Sequence, residues 1–144
     1  MKYLLLVLFF IFSTQSFADL KDKGLICKLP NAAYSSLRWH AFVFDKSKVE
    51  RFMIARKDGK FKLKSLGSID YYTDNEFIYM KTFTIKVNRK NLGYYYFNPK
   101  NSKYDKKIGD CIVHKSEKKL MKQMKIHVKE EQRIYNKSLE ENKI

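Results

Sequence analysis

The amino-acid sequence predicts a mainly β protein, a small antiparallel β-meander or barrel of 8 to 9 strands followed by a C-terminal α-helix. Two observations support this fold class. In residues 24–114, short runs of β-branched and aromatic residues are separated by turn-forming clusters of Asn, Asp, Gly, Lys and Ser. Residues 116–139 contain no Gly or Pro and are rich in Lys, Glu, Gln, Met and Leu, which favours a helix.

Residues 1–18 have the pattern of a secretory signal peptide. Lys2 supplies a positive start, residues 3–12 are uninterrupted apolar residues, and Ser16 and Ala18 are small residues before the expected cleavage site. As a helix the apolar run would cover about 15 Å, half of a bilayer's hydrocarbon core, so an uncleaved anchor is the weaker alternative. The sequence therefore predicts export to the periplasm or the medium.

The rest of the chain divides into a β-barrel or meander domain, residues 19–114, and a basic amphipathic helix or tail, residues 115–144. Nine strands are expected in the first part: residues 25–29, 38–44, 49–55, 61–65, 69–72, 77–81, 83–87, 94–97 and 111–114. No segment between them is long enough for a crossover helix, which indicates antiparallel pairing. Closure into a barrel would remove the exposed edge strands.

The helical segment has an apolar stripe at a spacing of four residues, formed by Leu120, Met124 and Val128. Ser116 is in a position to cap its N-terminus. Glu131 and Gln132 interrupt the stripe. The interruption predicts a helix that lies loosely against the barrel or is partly frayed.

Cys27 and Cys111 are the two cysteines of the chain, and in an oxidising compartment they are expected to form one disulfide. The bond would close a loop of about 85 residues and stabilise the fold by about 4 to 5 kcal/mol on the chain-entropy model. Two free thiols, or a metal-binding role, are the alternatives. The sequence has no C-x-x-C pair that would support a metal-binding role, and it has no cofactor motif.

Catalytic chemistry has little support in the sequence. The three histidines, His40, His114 and His127, have no metal-binding spacing. Three carboxylates, Asp70, Asp74 and Glu76, surround one predicted turn and could serve as a general acid and base. Because Asp and Asn are the usual turn formers, we expect a protein that is not an enzyme, with a small hydrolase as an alternative.

Tyrosines are concentrated in neighbouring predicted strands: Tyr71, Tyr72, Tyr79, Tyr94, Tyr95 and Tyr96. Consecutive residues of a strand point to opposite faces, so some of these rings must face outward. Outward rings can stack on sugars, peptides or nucleobases. The alternative is that they simply cover the sheet.

The chain carries 30 basic and 15 acidic side chains, a net charge of +15 that becomes +14 once Lys2 is removed with the signal peptide. Nucleic acid is a disfavoured partner because Lys greatly outnumbers Arg, the usual residue for bidentate phosphate contacts. Six lysines concentrate in the first half of the helix and could contact an anionic envelope surface or polymer: Lys115, Lys118, Lys119, Lys122, Lys125 and Lys129. Solubility alone is the other explanation.

Several motifs support a resemblance to small, uncharacterised exported single-disulfide β proteins of AT-rich bacteria. They are Leu-Ile-Cys-Lys at residues 25–28, Tyr-Tyr-Thr-Asp-Asn-Glu-Phe-Ile-Tyr at 71–79, Ile-Lys-Val-Asn-Arg-Lys-Asn-Leu at 85–92 and Gly-Asp-Cys at 109–111. This resemblance implies no activity.

A second resemblance is to periplasmic C-type lysozyme inhibitors, small β-barrels in which a Ser-Gly-x-x-Tyr…Phe-Trp-x-Lys-Gly segment plugs the enzyme. The residues that follow this order are Gly67, Tyr71, Phe77 and Lys81. Leu66, Ile78 and Thr82 stand where that segment has Ser, Trp and Gly. The positive charge of the chain would also repel a basic lysozyme.

These observations predict an exported binding or envelope-associated protein of unknown ligand. A lipocalin-like carrier of a small ligand, a lysozyme inhibitor and a small hydrolase are the alternatives. The sequence does not separate them, because none of its motifs specifies a ligand.

Overall fold

The computed structural model describes residues 20–32, 38–80, 82 and 84–142, and in this part the chain forms a closed antiparallel barrel of eight strands followed by one α-helix. The predicted fold class is confirmed. The predicted signal peptide lies outside the described residues. The strands are β1 (Gly24–Lys28), β2 (Trp39–Phe44), β3 (Lys48–Lys57), β4 (Lys60–Thr73), β5 (Phe77–Met80), β6 (Ile85–Asn88), β7 (Gly93–Tyr96) and β8 (Lys106–His114), and the helix is α1 (Glu117–Glu141).

The barrel is an up-and-down meander in which each strand pairs with its neighbours in the sequence and β8 pairs with β1. Cys27 of β1 lies opposite Cys111 of β8, and the two form a disulfide. The predicted disulfide is therefore confirmed. The bond joins the first and last strands where the barrel closes.

Two predicted strands, residues 61–65 and 69–72, are one continuous strand, β4. Gly67 lies between them with φ of +85°, a left-handed conformation that glycine adopts without strain, and the β3–β4 register shifts beside it. A bulge therefore replaces the predicted break. At the other end of the barrel, β8 begins at Lys106 rather than at Cys111, because its first residues pair with β7.

Side chains alternate along the strands between the barrel interior and the outer surface. Large residues fill the middle of the barrel and are almost completely buried, among them Phe42, Phe44, Met80, Val87 and Tyr94. This packing divides the interior, so the free space that the barrel offers lies at its two ends.

Helix α1 packs on the outside of the barrel through a second apolar cluster. Leu120 and Met124 are completely buried against Ile26, Ala41 and Ile54 on the outer face of β1, β2 and β3. The hydroxyl oxygen of Ser116 accepts a hydrogen bond from the backbone N–H of Lys119, as the predicted N-cap requires. Among the described residues, no helix has the length and apolar character needed to cross a membrane.

The two residues that interrupt the apolar stripe attach the helix to the barrel. Glu131 is only 2% exposed, and its Oε1 accepts hydrogen bonds from Trp39 Nε1 at 3.0 Å and from Arg38 Nη1 at 3.1 Å. Gln132 Oε1 accepts a hydrogen bond from the backbone N–H of Phe61, and its Nε2 donates to the carbonyl of Gly59, both at 3.0 Å. The expectation of a loosely placed helix is therefore wrong.

Candidate functional site

A pocket of about 350 Å³ opens at the end of the barrel where β2 begins and β7 ends. Leu29, Ala32 and Ile108 supply its apolar surface. The ring of Tyr96, which is 49% exposed, stands at the opening. The volume is near the lower limit for sites that hold small organic molecules, so the pocket suits a small ligand or one end of a longer one.

Basic side chains converge on this pocket from strands that are far apart in the sequence. Arg51 of β3 and Lys106 of β8 line it together with His40 of β2. Of the described residues that line the pocket none is acidic. Lys107, which also lines it, is paired with Asp110 at 2.6 Å. Arg51 and Lys106 therefore give the pocket a positive potential beside an apolar surface.

His40 and Tyr94 form the polar part of the barrel interior next to the pocket. Nδ1 of His40 lies 2.9 Å from the hydroxyl oxygen of Tyr94, and both residues are buried. Burial, together with the positive charge of Arg51, lowers the pKa of His40 to about 4. Burial raises the pKa of Tyr94 well above its ordinary value, so at neutral pH both side chains are uncharged.

The β3–β4 hairpin extends the basic surface beyond the pocket. His40 pairs with Met53 across β2 and β3, and Met53 pairs with Lys64 across β3 and β4, so all three occupy the same face of the sheet. Lys62 lies two residues before Lys64 and shares that face, and both lysines are exposed. An anion that approaches the barrel end would therefore meet positive charge before it reaches the pocket.

The opposite end of the barrel has a smaller pocket of about 200 Å³. It is mainly apolar, with Leu20, Phe44 and Leu92 in its lining, and Lys23 and Arg89 at its edge. The filled middle of the barrel separates the two ends. A deep cavity of the kind expected for a carrier of a large apolar ligand is therefore not formed by the described residues.

The structure separates the six predicted ligand-stacking tyrosines into three groups. Tyr72 and Tyr79 stack on each other on the outer surface with ring centroids 4.6 Å apart, and Tyr95 lies on the same surface against Phe77. Tyr71 packs inside the barrel against Phe44, and its hydroxyl group donates to the carbonyls of Asp45 and Lys46. Tyr94 is completely buried, and Tyr96 lines the basic pocket.

Tyr72 and Tyr79 border a groove of about 470 Å³ between β5 and the segment that connects β7 and β8. Within the groove Lys86 pairs with Asp105 at 2.5 Å. Burial and a hydrogen bond with Asp74 raise the pKa of Tyr79 to about 12. The polar groups named here form ion pairs or hydrogen bonds with one another. Stacking of a ligand on these rings stays a prediction.

The six lysines predicted to contact an anionic surface are all exposed: Lys115, Lys118, Lys119, Lys122, Lys125 and Lys129. Lys115 lies just before helix α1. Lys118, Lys122, Lys125 and Lys129 lie on the side of the helix opposite Leu120 and Met124, the residues that are buried against the barrel. Contact with an anionic surface stays a prediction at this point.

The three carboxylates of the hydrolase alternative lie at the barrel end opposite the basic pocket. Asp70 pairs with Lys48 at 3.0 Å on the surface, and Asp74 Oδ1 accepts hydrogen bonds from the backbone N–H groups of Glu76 and Phe77. Partial burial opposes the shift, but these hydrogen bonds hold the pKa of Asp74 below its ordinary value. Asp74 therefore acts as a turn former, as its position in the sequence indicates.

The three histidines are placed in different surroundings. His40 is inside the barrel, and the ring of His127 stacks on Trp39 with ring centroids 3.7 Å apart. Burial lowers the pKa of both His114 and His127. In the described part of the chain, no group of three or more His, Cys, Asp or Glu side chains could hold a metal ion.

The segment that resembles the lysozyme inhibitors does not form one exposed loop. Gly67 and Tyr71 belong to β4, Phe77 begins β5, and Lys81 lies outside the described residues. Tyr71 is turned inward by its contact with Phe44. Inhibition of a lysozyme stays a prediction.

Sequence reasoning missed Arg51 and Lys106 as pocket residues. Arg51 lies between the inward positions Val49 and Met53, so a strict alternation along β3 would have marked it as a charged side chain that faces the interior. Lys106 gave no such signal, because its strand was expected to begin five residues later. No family model, no curated protein and no solved structure matches the chain.

Proposed function

We propose that the protein binds a small amphipathic anion, a carboxylate or phosphate joined to an apolar body, in the basic pocket at the end of the barrel. The observation that supports this function is the convergence of Arg51 and Lys106 on a pocket to which Leu29, Ala32 and Ile108 supply an apolar wall. Such a combination of an apolar wall and a few directed charges is typical of sites for small ligands. The protein would act as a binding protein or carrier rather than as an enzyme.

The disulfide supports action outside the cytoplasm, in the periplasm or the medium, because such bonds persist in oxidising compartments. A ligand taken up there must be small, since Phe42 and Tyr94 fill the barrel below the pocket. We therefore expect the charged group to bind near Arg51 and Lys106, and the apolar body to lie against Leu29, Ile108 and the ring of Tyr96.

The proposal is tested by titrating the oxidised protein with 3-phenylpropionate, phenylphosphonate and octanoate, and by observing the backbone amide and His40 imidazole resonances. The neutral 3-phenylpropanamide is the matched control ligand. We expect saturable shifts for the anions and weaker shifts for the amide. Bound anions should also raise the pKa of His40 from about 4.

Two variants assign the binding to the pocket. Arg51→Gln and Lys106→Gln should each weaken binding of the anions at least several-fold, because a hydrogen bond to a charged group is lost. Lys103→Gln, at an exposed lysine in the connection between β7 and β8, is the control and should bind as the unaltered protein does. Equal affinity for the amide and the anions, or no shift with any anion in the millimolar range, would overturn the proposal.

A further inference from the structure

The outward face of helix α1 carries a row of four positive charges. Lys118, Lys122, Lys125 and Lys129 follow one another at spacings of four, three and four residues, which places them on one side of an α-helix. We call this row the lysine stripe. It is about 16 Å long, and all four side chains are exposed.

The charges of the lysine stripe are not balanced by neighbouring carboxylates. In the part of the chain that the structure describes, none of the four forms an ion pair. The second half of the same helix is different, because Arg133 pairs with Glu130 at 2.7 Å and Lys137 pairs with Glu141 at 3.6 Å. In the second half of the helix these basic side chains are therefore paired with carboxylates, whereas the charges of the lysine stripe in the first half are not.

This arrangement weakens the helix. Like charges at i, i+4 oppose helix formation, and Lys118 with Lys122 and Lys125 with Lys129 are two such pairs. The helix is held to the barrel by Leu120, Met124 and Glu131 on its other face, so the lysines are not needed for docking. A partner of opposite charge would remove the repulsion.

The shape of the site favours a flat partner. Helix α1 lies on the outside of the barrel, so its outward face is a ridge that can meet a plane along the whole lysine stripe. Ile126 lies beside the stripe and is 50% exposed, which adds an apolar contact. Lysines carry point charges on long apolar stems, and these suit the interface of a membrane that contains anionic lipids.

From the unbalanced charge and the position of Ile126 we infer that the lysine stripe docks the protein on a membrane of anionic phospholipid. This contact is independent of the pocket at the barrel end and would place the binding protein at a membrane surface. Each basic residue near an anionic surface contributes about fivefold to the affinity. Removal of four should therefore weaken binding at least about 100-fold.

The test is cosedimentation of the purified, oxidised protein with vesicles of phosphatidylglycerol and phosphatidylcholine, and with vesicles of phosphatidylcholine alone, at low and high salt. The stripe variant is Lys118→Gln, Lys122→Gln, Lys125→Gln and Lys129→Gln combined. Its matched control has the same loss of charge at four exposed lysines elsewhere: Lys46→Gln, Lys90→Gln, Lys100→Gln and Lys103→Gln. Glutamine keeps helix propensity, and circular dichroism verifies that both variants are folded.

We expect salt-sensitive binding to the anionic vesicles only, a loss of about 100-fold or more in the stripe variant, and a much smaller loss in the control. An equal loss in both variants would show that total charge and not the lysine stripe is responsible. Absence of binding to anionic vesicles at low salt would also overturn the inference. If the protein binds heparin, a soluble polyanion, but does not bind the vesicles, the inference is likewise overturned.

Discussion

The Nδ1 atom of His40 lies 2.9 Å from the hydroxyl oxygen of Tyr94 inside a barrel whose middle is filled mainly with apolar side chains. Both groups are neutral at physiological pH because burial disfavours their charged forms. Protonation of His40 would place a positive charge beside Arg51. The stability of the barrel should therefore depend on pH through this residue.

The unfolded chain protonates His40 with a pKa of 6.5, whereas in the folded protein the pKa is about 4. As the pH falls from 6.5 to about 4, the unfolded state takes up a proton that the folded state does not, so the free energy of unfolding falls by about 3 kcal/mol. The measurement is urea denaturation of the unaltered protein and of His40→Asn at several pH values. Other titrating groups cancel in the difference, and parallel pH profiles would contradict this prediction.

Replacement of Glu131 tests how the helix is attached. Glu131→Ala removes the acceptor of the Trp39 and Arg38 hydrogen bonds and should lower the free energy of unfolding by about 2 kcal/mol, because partly buried donors are left without a partner. Glu130→Ala is the control one residue away. Its ion pair with Arg133 is exposed, so we expect a change within about 0.5 kcal/mol. Equal effects in urea denaturation would refute the role of Glu131.

Gln132 is expected to stabilise the β3–β4 turn and to slow amide exchange there. In Gln132→Ala the backbone N–H of Phe61 and the carbonyl of Gly59 lose their side-chain partner, which should cost about 1 to 2 kcal/mol. Amide hydrogen exchange at Phe61 should accelerate as well. Gln123→Ala, on the same helix, should leave exchange at Phe61 unchanged, and a slow Phe61 amide in Gln132→Ala would contradict the assignment.

The disulfide should supply a large share of the stability. The double variant Cys27→Ser and Cys111→Ser is expected to lose about 4 to 5 kcal/mol, since the bond closes a long loop in the unfolded chain. Because both cysteines are buried, the folded protein should also resist reductant until urea opens the barrel. Thiol titration with and without urea measures this, and rapid reduction of the folded protein would contradict it.

Local patterns were sufficient to predict most strands and the helix. Lys57-Asp58-Gly59-Lys60 was recognisable as a hairpin turn, and Asp58 and Gly59 do adopt positive φ values of 51° and 73°. The break expected near Gly67 did not occur, because a bulge lets a strand pass through a glycine. Periodicity alone does not distinguish a bulge from a turn.

The attachment of the helix and the pocket depend on contacts between distant residues. Glu131 and Gln132 were interpreted as defects of an apolar stripe, because their partners Trp39 and Phe61 are more than 70 residues away. Arg51 and Lys106 meet only when the barrel closes. Charge at an inward position of a strand is the signal that reasoning from the sequence should have followed.

Because Cys27 and Cys111 lie in the first and last strands, the disulfide turns the whole barrel into one covalent ring. All seven connections between consecutive strands lie inside this ring. A protease that cuts a single exposed turn would therefore leave both pieces joined. The nicked molecule would migrate as one species in electrophoresis until the disulfide is reduced. Helix α1 follows Cys111 in the sequence and therefore lies outside the ring.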